Sequence, residues 1–135
     1  MAFIAATSVP HVLGGISIPH HYGSANDFLP LVQKFEQDDL ITLLSYFDFV
    51  YRIIVFHKAF SETQFKWLCY YGSYVLYCII GEIEIKIKDG QCTPAAVSSM
   101  CTIRNCMRAV APSNETAVFV NEMINIVNAW IDCAQ

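Results

Sequence analysis

The chain has 135 residues, enough for one domain with one buried core. Hydrophobic residues make up 55% of it and charged residues only 15%, which excludes a disordered chain, since disorder needs low hydrophobicity and high net charge. A formal charge of -4 with eight Lys plus Arg leaves no basic footprint, so nucleic acid is excluded as a partner.

From the N-terminus, Pro10, Gly14, Gly15, Pro19 and Gly23 interrupt any long helix, and residues 1–23 are expected to be extended or irregular. Asp27 can cap a short helix carrying Phe28, Leu31, Val32 and Phe35, with Pro30 tolerated in its first turn. Asp38 and Asp39 offer a cap and a favourable charge to a second helix. Its stripe is Leu40, Leu43, Leu44, Phe47, Tyr51 and Ile54, at helical spacing throughout, with Asp48 and Arg52 as an i,i+4 pair elsewhere on its surface.

Ser61-Glu-Thr-Gln64 has the form of a capping box. The run Trp67 to Gly81 that follows is free of charge for fifteen residues, short of the roughly eighteen or more of a spanning helix, and Lys66 and Glu82 close it. It is expected to be a buried central helix in a soluble protein without a membrane anchor. Residues 82–88 alternate Ile with charge as a strand does, yet Glu82–Lys86 and Glu84–Lys88 are in the favoured helical order and Gly90 suits a helix C-cap. Helix is the preferred reading, because a lone strand would have nothing to pair with. Thr93-Pro94 opens the next helix, with Val97, Met100, Cys101, Met107 and Val110 as its apolar positions and Pro112 as its stop. Ser113 is the expected cap of a last helix, with Glu115 in its first turn and a stripe of Val120, Met123, Ile124, Val127, Trp130 and Ile131. All of this is one all-α domain spanning 1–135.

Chemistry has little to stand on. Cys69, Cys78, Cys92, Cys101, Cys106 and Cys133 show no tight spacing, and most fall in apolar helical patterns where free Cys packs as a small hydrophobe; a reducing compartment follows. His11, His20, His21 and His57 have no further ligands at metal spacing, and no phosphate loop, dinucleotide fingerprint or nucleophile elbow occurs. Cys69 or Cys78 with His57 could form a nucleophile and base, but an apolar setting disfavours the thiolate. No cofactor is implied, and a binding module is expected instead of an enzyme.

The segment Tyr71-Gly-Ser-Tyr-Val-Leu-Tyr-Cys-Ile-Ile-Gly-Glu82 resembles the first homology region of the Bcl-2 family, usually W-G-R-I-V-A-F-F-x-F-G-G. Gly72, Val75 and Gly81 match, and Tyr71, Tyr74, Tyr77 and Ile80 are aromatic or apolar replacements. Ser73 stands where the family has the arginine that pairs with an aspartate of the incoming BH3 helix, and Glu82 replaces the second glycine. Asn128-Ala-Trp-Ile-Asp132 resembles the start of the second region without its glycines, and Leu31-Val-Gln-Lys-Phe-Glu36 is a faint echo of the third.

The resemblance implies a Bcl-2-like helical bundle around a hydrophobic central helix, with a groove that sequesters BH3 helices of pro-apoptotic Bcl-2 proteins and so inhibits apoptosis. It places Phe47, Tyr51, Phe56, Tyr71, Gly72, Ser73 and Val75 along that groove. The eroded motifs look like a viral member acting in the host cytoplasm, with peripheral attachment at mitochondria left open, and the apolar surplus makes a homodimer expected. The rival reading is a small helical assembly protein, such as a virion component, whose apolar faces build an oligomer.

Overall fold

A computed structural model describes residues 11–13, 16–18, 29–56, 66–110, 113 and 115–134. Asp27, the capping box at Ser61–Gln64, His20, His21, His57 and Pro112 lie outside the described residues. The described part contains a short antiparallel hairpin, β1 (His11–Leu13) and β2 (Ile16–Ile18), with His11 opposite Ile18 and Leu13 opposite Ile16. Five helices follow: α1 (Leu29–Gln37), α2 (Leu40–Val55), α3 (Lys66–Lys88), α4 (Pro94–Ala109) and α5 (Ala117–Ala134). The body is helical, as the periodicity implies.

Local chemistry explains most of the boundaries. Asp39 is the N-cap of α2, its carboxylate accepting from the Thr42 amide at 2.7 Å. Thr93 caps α4 in the same way, accepting from the Ala96 amide at 3.2 Å, with Pro94 in the first turn. Residues 82–88 continue α3 as helix, and the helix ends in a Schellman arrangement: Gln91 N–H donates to Lys86 C=O at 3.0 Å and Gly90 N–H to Ile87 C=O at 3.1 Å, with Gly90 at φ 76°. Ser113 does not cap the last helix as expected. The Ser113 carbonyl accepts from the Thr116 amide in a preceding turn, and α5 starts only at Ala117.

The most deeply buried helix is α2, not the segment 71–81. Its exposed line is narrow, running through Ile41, Ser45 and Arg52, and beyond the expected stripe it also buries Tyr46, Phe49, Val50 and Ile53. α3 is two-sided: Val75, Leu76, Ile79, Ile80 and Ile83 are buried, while Tyr71, Tyr74, Tyr77 and Ile85 are exposed. The expectation that this segment is the buried central helix is therefore corrected to a helix with one buried and one exposed face. Its aromatic residues cover one face toward water, whereas the polar residues of α2 fall on one line and leave the rest of that helix apolar.

Two glycines of α3 behave differently. A Cβ at Gly72 would lie 2.9 Å from Ile54 Cγ1, so the missing side chain is what lets α3 approach α2. A Cβ at Gly81 would meet nothing within 4 Å among the described residues, so no neighbouring helix depends on the missing side chain there. α2 joins α5 through aromatic rings: Phe47 stands edge-on to Trp130 at 5.1 Å and Tyr51 stacks on Phe119 at 6.0 Å. Trp130 Nε1 also donates to Glu84 of α3 at 3.3 Å.

At the α1–α2 corner, Lys86 turns inward instead of pairing along its own helix with Glu82. It is only 7% exposed, and Nζ donates to the Glu36 carbonyl at 3.0 Å. A cation at the carboxyl end of α1 offsets that helix's dipole. Burial first, and the nearby Asp38 second, push the Tyr46 phenol above its ordinary range, so it stays neutral in the core.

Two measurements check this account. Gly72→Ala is expected to lower stability by about 1 kcal/mol, because Ile54 must give way, whereas Gly81→Ala raises it by about 0.5–1 kcal/mol; thermal melts at low protein concentration read both, and equal shifts would contradict the packing. Hydrogen bonds from the Thr42 hydroxyl and amide hold the Asp39 carboxyl below its ordinary value of 3.8. A lowered folded-state pKa gives stability that is present above 3.8 and is lost as the pH falls through the folded value. Asp39→Ala should therefore cost about 1 kcal/mol at neutral pH and progressively less in acid below that point; denaturant titrations across that range decide it.

Candidate functional site: an apolar cleft over the end of α2

The last turns of α2 and α4 and the first turn of α5 border a cleft of about 450 Å³. That volume falls within the range of sites that hold small apolar ligands or a few anchoring side chains. Tyr51, Val55 and Phe56 come from α2 and its C-cap, Met107, Ala109 and Val110 from the end of α4, and Val120 from the first turn of α5. Phe56 and Val110 stay exposed at 40% and 45%, so the cleft opens to solvent through apolar side chains. α4 stops at Ala109 because Val110 turns extended, with φ -101° and ψ 117°.

The polar part of the wall is small and mostly satisfied. Arg52 Nε donates to both carboxylate oxygens of Asp48 at 3.1 Å, one helical turn apart, as the i,i+4 spacing implies. Hydrogen bonding to Asp48, then its charge, raises the Arg52 pKa, so the guanidinium remains a permanent cation. The Cys106 thiol lies against that guanidinium. Burial, followed by the Asp48 charge, raises the Tyr51 phenol, which is therefore a neutral apolar wall with a hydroxyl. At the far end, Ser113 Oγ and Thr116 Oγ1 are 3.0 Å apart and occupied with each other.

Of the seven residues expected to line a groove, Tyr51 and Phe56 are in this cleft. Phe47 and Val75 are core residues at 0% and 2% exposure, and Gly72 is buried against Ile54 and Val50 of α2. Tyr71 and Ser73 are exposed on α3, and among the described residues no α3 side chain lines the cleft. The glycine that the resemblance assigns to an incoming helix is thus occupied by the chain's own α2. Arg52, Cys106, Met107, Val110 and Val120 were not foreseen in this role. The available signal was that Tyr51 and Val55 sit one turn apart on a side of α2 that Val50 and Ile54 do not share.

Cys106 is exposed, although it falls in an apolar helical pattern. Cys78, Cys92, Cys101, Cys106 and Cys133 are free thiols, and burial raises the thiols of Cys78 and Cys92, which makes them poor nucleophiles. Among the described residues no three His, Cys, Asp or Glu side chains gather as a metal set, and no helix is long and apolar enough to cross a membrane.

If the cleft accepts apolar matter, an environment-sensitive naphthalene dye should bind there. Val110→Asp is expected to weaken the dye at least about tenfold, since a charge would have to be desolvated, while leaving the melting temperature nearly unchanged; undiminished fluorescence would place the dye elsewhere.

Comparison of the chain with protein-family models, with curated proteins and with solved structures finds no match.

Proposed function

We propose that this protein is a binding module that takes the apolar face of an amphipathic helix in the cleft over α2, and that its partners are BH3 helices of pro-apoptotic Bcl-2 proteins, whose sequestration inhibits apoptosis. The observation that carries the reading is the solvent-open apolar cleft walled by Tyr51, Val55, Phe56, Met107, Val110 and Val120. Helix-in-groove recognition needs a cleft of this kind, because the anchors at i, i+3, i+4 and i+7 are apolar. The resemblance of residues 71–82 to the first Bcl-2 homology region supplies the partner class. It does not supply the docking residues, which are the ones that line the cleft. The activity is binding, without catalysis or cofactor, in the host cytoplasm or at the mitochondrial surface. Self-association belongs to the same reading, and the exposed apolar side chains of α3 favour it.

Ser73 lies outside the cleft, and Arg52 on its wall is already paired with Asp48. The aspartate of a BH3 helix therefore goes without the charge-assisted hydrogen bond it makes in the family, a contact worth about 1.5–3 kcal/mol, or roughly tenfold to a hundredfold and more in affinity. Calorimetric titration of a BH3 peptide panel is expected to show binding to few members, weakened about tenfold or more by Phe56→Ala and by Val110→Asp. Broad nanomolar binding would refute the loss of that contact. Silence toward every peptide would refute the function and favour an assembly protein.

A further inference from the structure

Gly81 is out of place for a single chain. Glycine within a helix lowers its stability, yet no described atom lies within 4 Å of where a Cβ would stand. Around it, on the same face of α3, are Tyr77 at 48% exposure, Ile85 at 50%, and the exposed Tyr74 and Lys88. Tyr77 is held in position, its hydroxyl donating to Glu122 Oε1 at 2.9 Å, so its ring is a fixed surface. The buried face of α3 is fully used by the core, and this outer face shares no residue with the cleft.

We propose that this face binds a second copy of the same chain, with the two α3 helices antiparallel and the two-fold axis passing by Gly81. The register follows from the sequence. About that axis Gly81 faces Gly81 of the partner copy, Tyr77 faces Ile85, and Tyr74 faces Lys88. The pairs are an aromatic on an aliphatic side chain and an aromatic ring under an ammonium, both favourable, and each occurs twice in an isologous contact. Two facing glycines let the backbones come close enough for these side chains to meet. A lipid surface fits less well, since Glu82, Glu84 and Glu122 border the face with negative charge. The dimer leaves both clefts open, so the assembly is bivalent toward the partner helix.

Sedimentation equilibrium of the full chain from about 1 to 200 μM tests this, with Ile85→Glu and Gly81→Leu as variants that face open space and keep the fold. A dimer in the wild type, weakened at least about tenfold by each variant with unchanged circular dichroism, is the expected result. In a Cys106→Ser, Cys133→Ser background, Gly81→Cys should form an intermolecular disulfide on mild oxidation and Ala95→Cys should not, because only the former approaches its own copy within bridging distance. A strictly monomeric wild type overturns the proposal, as does a dimer indifferent to both variants. Peptide titration of the Ile85→Glu monomer separates this inference from the function. Retained binding leaves the two sites distinct as proposed, and binding lost together with the dimer overturns their separation.

Discussion

The structure depends on the approach of α3 to α2 at Gly72. α2 is nearly surrounded, and α3 closes its largest side through Val75, Leu76, Ile79, Ile80 and Ile83. That contact is possible at the start of α3 only because no Cβ separates the helix from Ile54. With α2 and α3 locked together, the aromatic pairs Phe47–Trp130 and Tyr51–Phe119 dock α5, and α4 packs against α2 and α5. A side chain at position 72 would therefore disturb more than one neighbour.

The cleft is the complement of that arrangement. Tyr51 is covered by Phe119 of α5, while Phe56 at the end of α2 and Val110 just past α4 stay exposed beside it. These two exposed side chains beside a buried tyrosine make the apolar site. The Asp48–Arg52 pair on its wall carries no net charge, so this wall exerts little long-range attraction. α3 presents its exposed face through different residues, and one small chain can thus offer two separate surfaces.

Much of the fold is legible in order along the chain. The caps at Asp39 and Thr93, the glycine stop at Gly90 and the stripes of α2 and α5 are set by nearest neighbours and by the 3.6-residue period, both of which a sequence displays directly. Lys86 is a counterexample. Its spacing from Glu82 suggests a surface pair, but its stem runs inward to the end of α1, fifty residues earlier in the chain. The candidate site was legible only at Tyr51 and Phe56, because a groove is made by elements that meet in space, and Val110 and Val120 have no sequence relation to α2.

The sequence by itself determined the helical class, the helix order and the caps at Asp39 and Thr93, since these depend on local hydrogen bonds and on which residues share a helix face. Only the tertiary structure decided which helix is central and which glycine is a contact. Gly72 and Gly81 both belong to the uncharged run from Trp67 to Gly81; what separates them is that Ile54 lies against one, while no described atom lies within 4 Å of a Cβ at the other. That difference is a matter of how two helices cross, and no local pattern encodes it.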